Sequence, residues 1–214
     1  MMLVVVGGHS RNIGKTSVAA GLIRHLRDRR WTALKITQYG HGVCSHQGEA
    51  CGCETEPDHP FALSEEYEPS RTDSGRFLAA GAERSFWLRT PAGQLSGAAH
   101  QIRKILKQHE NVMVESNSLL ELAEPDVFLM VLDFTQADFK ESSARFLGRA
   151  DAIVVVDRGI DAAQPGATPV WGNVARGLWA GKPRFPVKPP NYVTRPMVEF
   201  VRSRGNYTST NSGS

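Results

Sequence analysis

The sequence predicts an α/β fold in three layers, with a mostly parallel sheet covered by helices on both faces. Two observations support this prediction. Short apolar runs without polar alternation recur along the chain, and such runs are typical of strands buried on both faces. Several of them are separated by segments with apolar residues at three- and four-residue spacing, which indicates amphipathic helices. Strands that alternate with helices in this way imply right-handed crossovers and parallel pairing.

The predicted strands begin with a Val-rich run close to the N-terminus, and helices follow at intervals. The strands are residues 2–6, 31–37, 84–89, 112–115, 127–133 and 152–157. The helices are residues 15–29, 72–80, 95–106, 141–147 and 197–202. We expect the helix over 72–80 to begin at a Thr or Asp cap and to end at Gly81.

Two segments lack a periodic pattern. Residues 38–70 contain Gly, Pro, Cys, His and acidic residues, and an irregular segment of this length inside a compact domain is usually functional or mobile. Residues 158–196 are rich in Pro and Gly and include an extended stretch. We therefore expect a single domain over residues 1–204, with a Cys-rich insertion at about 38–70, and a disordered tail over 205–214.

The composition excludes several classes of protein. Of the 214 residues, 41% are hydrophobic and 22% are charged, which is normal for a globular chain and argues against wholesale disorder. The net charge of +3 is small for a general nucleic-acid coat protein. No apolar run reaches the roughly 18 residues needed to span a bilayer, and the short apolar N-terminus lacks a basic leader. We therefore expect a cytoplasmic protein without a nucleic-acid or membrane partner.

The strongest motif is a glycine-rich turn between the first strand and the first helix. It opens at Gly8 and ends in Gly14-Lys15-Thr16. This context predicts a phosphate-binding loop, in which successive backbone N–H groups surround an anion and the helix N-terminus adds positive partial charge. In such a loop Lys15 reaches the β- and γ-phosphates, the Thr16 hydroxyl binds Mg²⁺, and Gly14 lets the backbone approach the phosphate. The alternative is a chance GKT triplet at a strand–helix turn. The predicted nucleotide-binding residues are Gly8, Arg11, Asn12, Ile13, Gly14, Lys15, Thr16 and Ser17.

The spacing within this loop resembles a known variant. Five residues separate Gly8 from Gly14, one more than in the common form. This resembles the loop of dethiobiotin synthetase, which belongs with the molybdopterin-guanine dinucleotide biosynthesis protein B family to the SIMIBI class of P-loop NTPases. Lys35 resembles the second-strand lysine of both families, and Asp73 resembles the Asp that opens a helix in both. Glu115 resembles a metal-organising Glu at a strand end, and Arg76 with residues 80–82 is closer to the biosynthesis protein B pattern.

The sequence also departs from both families. Ser116-Asn117-Ser118 follows Glu115 at a place where both families usually have Glu-Gly. The Cys-rich stretch over 41–59 belongs to neither family, and no base-recognition motif is obvious after residue 157. We therefore expect the fold of the SIMIBI class, whereas the substrate does not follow from the resemblance.

Four side chains are the candidates for catalysis: Lys15, Lys35, Asp73 and Glu115. Phosphoryl transfer depends on positioning and charge neutralisation. Lys35, predicted at a strand end, is expected to neutralise a phosphate or hold an anionic substrate, the alternative being a lysine that extends from the sheet edge. Thr16, Asp73 and Glu115 are predicted to organise Mg²⁺, the alternatives being a helix cap for Asp73 and a solvated strand end for Glu115. His9 either contacts phosphate or substrate or is an ordinary turn residue.

All three cysteines lie in the insertion, close to two histidines. An odd number of cysteines in a chain without an export signal argues against a disulfide scaffold. A Cys₃His set suits Zn²⁺, although the spacing is not that of a usual zinc finger, and an Fe–S cluster or a redox thiol pair would also use such residues. The alternative is a flexible polar loop with incidental cysteines. The candidate ligands are His41, Cys44, His46, Cys51 and Cys53.

These features predict Mg²⁺-dependent binding and hydrolysis of a purine nucleoside triphosphate, ATP or GTP. The resemblance implies an accessory NTPase in the biosynthesis of a cofactor like molybdopterin-guanine dinucleotide, with a cofactor precursor and a biosynthetic enzyme as partners and a homodimeric state. One alternative is an ATP-dependent small-molecule ligase or kinase of the dethiobiotin synthetase type. Another is a non-catalytic nucleotide- or metal-binding module.

Overall fold

The structure is a computed structural model, and it describes residues 2–39, 60–158, 169–171, 176–179 and 181–205. These residues form eight strands and five α-helices. The strands are β1 (Met2–Gly8), β2 (Thr32–Tyr39), β3 (Ala62–Glu66), β4 (Arg84–Pro91), β5 (Asn111–Glu115), β6 (Val127–Asp133), β7 (Ala152–Val156) and β8 (Arg184–Val187). The helices are α1 (Lys15–His25), α2 (Asp73–Ala80), α3 (Ala99–Gln108), α4 (Glu141–Leu147) and α5 (Arg195–Arg204).

The eight strands form one sheet in the order β3-β4-β2-β5-β1-β6-β7-β8. All neighbouring strands are parallel except β3 and β4, which pair antiparallel at one edge. Strand β1 lies at the centre, between β5 and β6. The loop that follows β1 therefore emerges at the carboxyl edge of the sheet, where α/β proteins bind their ligands.

Strand β1 is buried on both faces, which explains its unbroken apolar run. Val4 and Val6 belong to one core, together with buried side chains of α1, α2 and α5. Leu3 and Val5 point the other way, into a core that contains side chains of α3 and α4. Helices thus cover both faces of the sheet, and the predicted three-layer α/β fold is confirmed.

Helix α2 shows why its limits could be predicted. The Thr72 side chain accepts a hydrogen bond from the Gly75 N–H at 3.0 Å and caps the helix N-terminus. Gly81 ends the helix at φ 103°, a left-handed conformation that suits glycine. Asp73 is therefore the first helical residue and not the cap.

Two strands lie in segments for which no strand was predicted. Strand β3 falls within 38–70, so the predicted irregular insertion is too long: β2 extends to Tyr39 and the chain is regular again from Ala62. Strand β8 falls within the Pro- and Gly-rich segment and contains Pro186. Both are edge strands, and an edge strand tolerates proline and charge because one of its sides has no neighbouring strand with which to form hydrogen bonds.

Two predicted helices are shorter than expected. Helix α1 ends at His25, and a 3-10 turn over Arg27–Arg29 replaces its predicted last turn. A 3-10 turn over Leu95–Ala98 likewise precedes α3. In the described residues, no helix is both long enough and apolar enough to cross a membrane.

Candidate functional site

The predicted phosphate-binding loop connects the central strand β1 to helix α1. Its last residue, Gly14, is the N-cap of α1 at φ 98°, and Asn12 also has a positive φ of 55°. A Cβ atom on Gly14 would lie 2.2 Å from Cε1 of Tyr192, so this position needs glycine both for its backbone and for space. Left-handed residues turn the backbone N–H groups of a loop toward a common centre, which is how anion-binding loops form.

The side chain of Lys15, the first residue of α1, reaches back to the preceding loop. Its ammonium donates a hydrogen bond to the Ser10 carbonyl oxygen, so the side chain folds back over the loop. Burial lowers the pKa of Lys15 to about 8, although the nearby Glu115 carboxylate favours the charged form. A desolvated ammonium at a helix N-terminus interacts strongly with an anion because water screens it little.

A cluster of polar side chains lies beside the loop, and we call Thr16, Lys35, Asp73 and Glu115 the carboxylate cluster. The Thr16 hydroxyl donates to Oε2 of Glu115 at 2.7 Å. The Lys35 ammonium donates to Oε1 of Glu115 at 3.0 Å and also to Oδ2 of Asp73. The structure thus brings together four of the residues that sequence reasoning selected.

Strand register explains how two members of the cluster meet. Lys35 on β2 is the register partner of Glu115 on β5, so the two side chains project from neighbouring positions of the sheet. Because β2 extends to Tyr39, Lys35 lies in the middle of its strand, and the prediction of a strand-end lysine is wrong. Its side chain is only 14% exposed. Glu115 does end its strand, but at 5% exposure it is not a solvated strand end.

The charges of the cluster stabilise one another. Burial opposes ionisation of Lys35, but the Glu115 and Asp73 carboxylates outweigh it and raise the pKa of Lys35. Burial would likewise raise the pKa of Asp73, yet the charge of Lys35, its hydrogen bond and the charge of Arg76 lower it. The cluster therefore holds Lys35 and Asp73 in their ionised forms at neutral pH.

Arg76 connects helix α2 to the start of helix α1. One guanidinium nitrogen donates to Oγ of Ser17 at 2.9 Å, and the other lies 3.5 Å from Oδ1 of Asp73. Ser17 was predicted to bind nucleotide, and Arg76 was singled out only through the family resemblance. The two contacts keep the first turn of α2 next to the loop.

Asn117 and Ser143 support the loop, and neither was predicted as a site residue. The Gly8 N–H donates to Oδ1 of Asn117 at 2.8 Å, and Nδ2 of Asn117 donates back to the Gly8 carbonyl at 3.0 Å. The Ser143 hydroxyl donates to the same carbonyl at 2.8 Å. Ser116-Asn117-Ser118 departs from both families that the sequence resembles, and that departure was the available signal.

His9 points away from the solvent. Its side chain is fully buried, and its ring makes T-shaped contacts with the rings of Phe139 and Trp171 at centroid distances of 5.0 and 5.6 Å. Within the part of the chain that the structure describes, neither ring nitrogen has a hydrogen-bond partner. Burial, reinforced by the charge of Lys15, lowers the pKa of His9 to about 4, so the imidazole is neutral at pH 7.

The remaining predicted residues fall into two groups. Arg11 and Asn12 are exposed on the loop, whereas Ile13 is buried beneath it. The five candidate ligands of the Cys-rich stretch lie outside the described residues, so that metal or redox site stays a prediction: His41, Cys44, His46, Cys51 and Cys53. Residues 2–39, 60–158 and the shorter described segments contain no group of three or more His, Cys, Asp or Glu side chains placed to hold a metal ion.

Comparisons with known proteins support the fold. No protein-family model and no curated protein sequence matches this chain. Among solved structures, HypB from Helicobacter pylori in complex with nickel is similar over 100% of this chain and 91% of its own, at 11% identity and a TM-score of 0.53. The hydrogenase maturation factor HypB from Archaeoglobus fulgidus is similar over 94% of this chain and 89% of its own, at 14% identity and a TM-score of 0.50.

These neighbours are P-loop proteins of the SIMIBI class. At such low identity the likeness shows the fold alone, which is the α/β fold of P-loop NTPases. Neither neighbour is a dethiobiotin synthetase or a molybdopterin-guanine dinucleotide biosynthesis protein B. The finer resemblance stated from the sequence therefore stays a prediction.

Proposed function

We propose that this protein binds a nucleoside triphosphate with Mg²⁺ and hydrolyses it. The observation that carries the proposal is the loop between β1 and α1, where Gly14 adopts a left-handed conformation and Lys15 folds over the backbone. Backbone N–H groups, the N-terminus of a helix and a half-buried ammonium together favour a phosphate chain. The similarity of the whole fold to P-loop NTPases is consistent with this chemistry.

The carboxylate cluster suits a magnesium ion. Mg²⁺ prefers oxygen ligands and is usually held by one or two protein carboxylates, with water and phosphate oxygens in its other positions. The Thr16 hydroxyl and the Asp73 and Glu115 carboxylates are ligands of this type, and they lie next to the loop. When bound, the ion would neutralise charge on the phosphate oxygens.

The protein's own residues would do most of the remaining work by positioning. Lys15 would neutralise phosphate charge in a site from which the folded loop excludes much of the water. Asn117 and Ser143 would keep the first turn of the loop in place, since both donate hydrogen bonds to the Gly8 carbonyl. Arg76 would keep Asp73 at the site by bracing α2 against Ser17.

The finer role that we propose is that of an accessory NTPase in cofactor biosynthesis, with ATP or GTP as its nucleotide. Its support is the resemblance at the loop spacing, at Asp73 and Arg76, and at Glu115. Such a protein should hydrolyse nucleotide slowly alone and faster with its partner enzyme. Turnover that begins only when a small-molecule acceptor is added would instead indicate a ligase or kinase.

The direct test of nucleotide binding is the Lys15→Ala variant. Titration of fluorescent ATP and GTP analogues, followed by anisotropy in Mg²⁺, should show an affinity about 10- to 100-fold weaker than that of the wild type, since a charge-assisted contact is lost. Lys104→Ala removes an exposed lysine of α3 and serves as the matched control. Equal affinities of wild type and Lys15→Ala would contradict the proposal.

Metal analysis of the same sample would test whether the Cys-rich stretch binds a metal ion.

A further inference from the structure

The Lys35 ammonium lies between two carboxylates that also suit a metal ion. It contacts Oε1 of Glu115 at 3.0 Å and Oδ2 of Asp73. The second oxygen of Glu115 is taken by the Thr16 hydroxyl. The side chains of Lys35 and Glu115 are 14% and 5% exposed, so water screens this pair of charges little, whereas the Asp73 side chain is 42% exposed.

A cation is required at this place in the fold. A buried carboxylate without a compensating charge is strongly destabilising, and a second carboxylate beside it adds repulsion. Other cations lie close in the described chain, but Lys15 donates to the Ser10 carbonyl, and Arg76 contacts Asp73 and Ser17 without forming an ion pair with Glu115. Lys35 is therefore the cation that the described residues place in contact with both carboxylates.

Pairing on both sides of β2 fixes the backbone of Lys35, whereas its ammonium lies at the end of a flexible side chain. Strand β2 is paired on both sides, with β4 and with β5, and Lys35 lies opposite Trp87 and Glu115 in these pairs. A lysine ammonium sits on a flexible stem of four carbons. Movement of this ammonium from the carboxylates toward the loop would need no change in the sheet.

An ammonium and a magnesium ion cannot share these oxygens without strong repulsion, because like charges a few ångströms apart in a weakly screened site repel. We propose that the Lys35 ammonium occupies the place of the magnesium ion in the carboxylate cluster and excludes the free metal ion. It moves away from the carboxylates only when a bound triphosphate supplies another anion for it to contact. The inference rests on the proposed function, because it assumes that the metal arrives with a nucleotide. Lys35 thereby couples metal binding to nucleotide binding.

Metal affinity in the absence of nucleotide tests this coupling directly. Mn²⁺ serves as the probe, and free Mn²⁺ is measured by electron paramagnetic resonance during titration of the full chain. Lys35→Met keeps the length of the side chain and removes its charge, and it should bind Mn²⁺ at least about tenfold more tightly than the wild type. Lys35→Arg keeps the charge and should bind as weakly as the wild type. Lys104→Met controls for the loss of a positive charge elsewhere on the surface. An unchanged or weaker Mn²⁺ affinity in folded Lys35→Met would overturn the proposal.

A measurement on the wild-type protein keeps the proposal testable if Lys35→Met does not fold. Lysine labelled with ¹³C at Cε gives a resonance for Lys35 that the Lys35→Arg spectrum identifies. Millimolar Mg²⁺ alone should leave this resonance in place, and Mg²⁺ with a non-hydrolysable ATP or GTP analogue should shift it. A shift with Mg²⁺ alone, or no shift when the analogue binds, contradicts the proposal. Failure of the analogue to bind at all would instead refute the proposed function, which the Lys15→Ala titration tests separately.

Discussion

Asn117 contacts both polar groups of the Gly8 backbone, although the two residues are far apart in the sequence. Its amide replaces the hydrogen bonds that a neighbouring strand would otherwise supply at the point where β1 ends. The contact leaves no space for a side chain nearby, since a Cβ on Gly7 would lie 2.2 Å from Oδ1 of Asn117. Asn117, together with the Ser143 hydroxyl, thus holds the backbone at the point where the loop leaves the sheet.

We expect Asn117→Ala to weaken nucleotide binding about tenfold and to lower the free energy of unfolding by about 2 kcal/mol, because the Gly8 N–H loses its partner. Asn111→Ala is the matched control, since it removes a hydrogen bond to the Arg29 carbonyl at the opposite end of β5. That control should cost stability without changing nucleotide affinity. Urea unfolding and nucleotide titration measure the two effects, and equal nucleotide affinities of the two variants would argue against a role for Asn117 in the loop.

His9 makes folding stability depend on pH. The pKa of this buried imidazole is about 4, against 6.5 for an ordinary histidine, chiefly because burial disfavours the charged form. The unfolded chain therefore binds a proton below pH 6.5 that the folded protein does not bind until about pH 4. The contribution is complete above pH 6.5 and is lost as the pH falls toward 4.

We predict that His9→Phe removes about 3 kcal/mol of the fall in unfolding free energy between pH 6.5 and pH 4. Phenylalanine suits the site, because the imidazole packs against Phe139 and Trp171. Urea unfolding of wild type and variant at a series of pH values measures the difference. Parallel pH profiles for the two proteins would show that His9 does not cause the acid sensitivity.

At the scale of secondary-structure elements, helix α2 carries two site residues on its first turn. Asp73 and Arg76 are placed by the N-terminus of this helix, and Thr72 sets that N-terminus through its bond to the Gly75 N–H. A second hydrogen bond connects the first turn of α2 to β3: the Ser74 hydroxyl donates to Oε1 of Glu66 at 2.6 Å. The geometry of the carboxylate cluster therefore depends on a cap that touches neither Lys35 nor Glu115.

We expect Thr72→Ala to lower the free energy of unfolding by about 1 kcal/mol, the usual effect of losing an N-cap. Thr72→Ser retains the hydroxyl and should restore most of this stability. Nucleotide affinity of Thr72→Ala should fall more in Mg²⁺ than in EDTA, because only the metal-dependent part requires Asp73 in place. The idea fails if the urea midpoint of Thr72→Ala equals that of the wild type.

At the scale of the whole molecule, the central strand joins two cores. Val4 and Val5 are neighbours in the sequence, are both fully buried, and belong to opposite faces of the sheet. A sheet covered by helices on one face only would bury one of them and expose the other. The loop after β1 is therefore anchored by packing from both layers.

Val4→Ala and Val5→Ala should each lower the free energy of unfolding by about 2 kcal/mol, because each leaves a cavity in its own core. Val170→Ala, at a side chain that is 55% exposed, should change stability by much less. Urea unfolding of the three variants provides the comparison. A large loss at only one of the two β1 positions would contradict a sheet with two equally packed faces.

Two elements could be predicted from the sequence to the residue. Strand β6 and helix α4 have the limits that their patterns predicted, 127–133 and 141–147. Their signals are local, since an apolar run without alternation and a helical period each reflect burial of that same segment. Strands β3 and β8 escaped prediction because an edge strand is specified by its neighbour and not by its own hydrophobicity.

The candidate site likewise has a part that could be predicted from the sequence and a part that could not. The sequence alone predicts the loop with its glycine and lysine, because a left-handed backbone and a helix N-terminus favour particular residue types. Asp73 and Glu115 were selected through the resemblance to known families. The contacts that place Lys35 between Asp73 and Glu115, and those of Asn117 and Ser143 with Gly8, arise in the folded protein. Those contacts join residues distant in the chain through strand order and register, which depend on packing of the whole sheet and leave no periodic signal in the segments themselves.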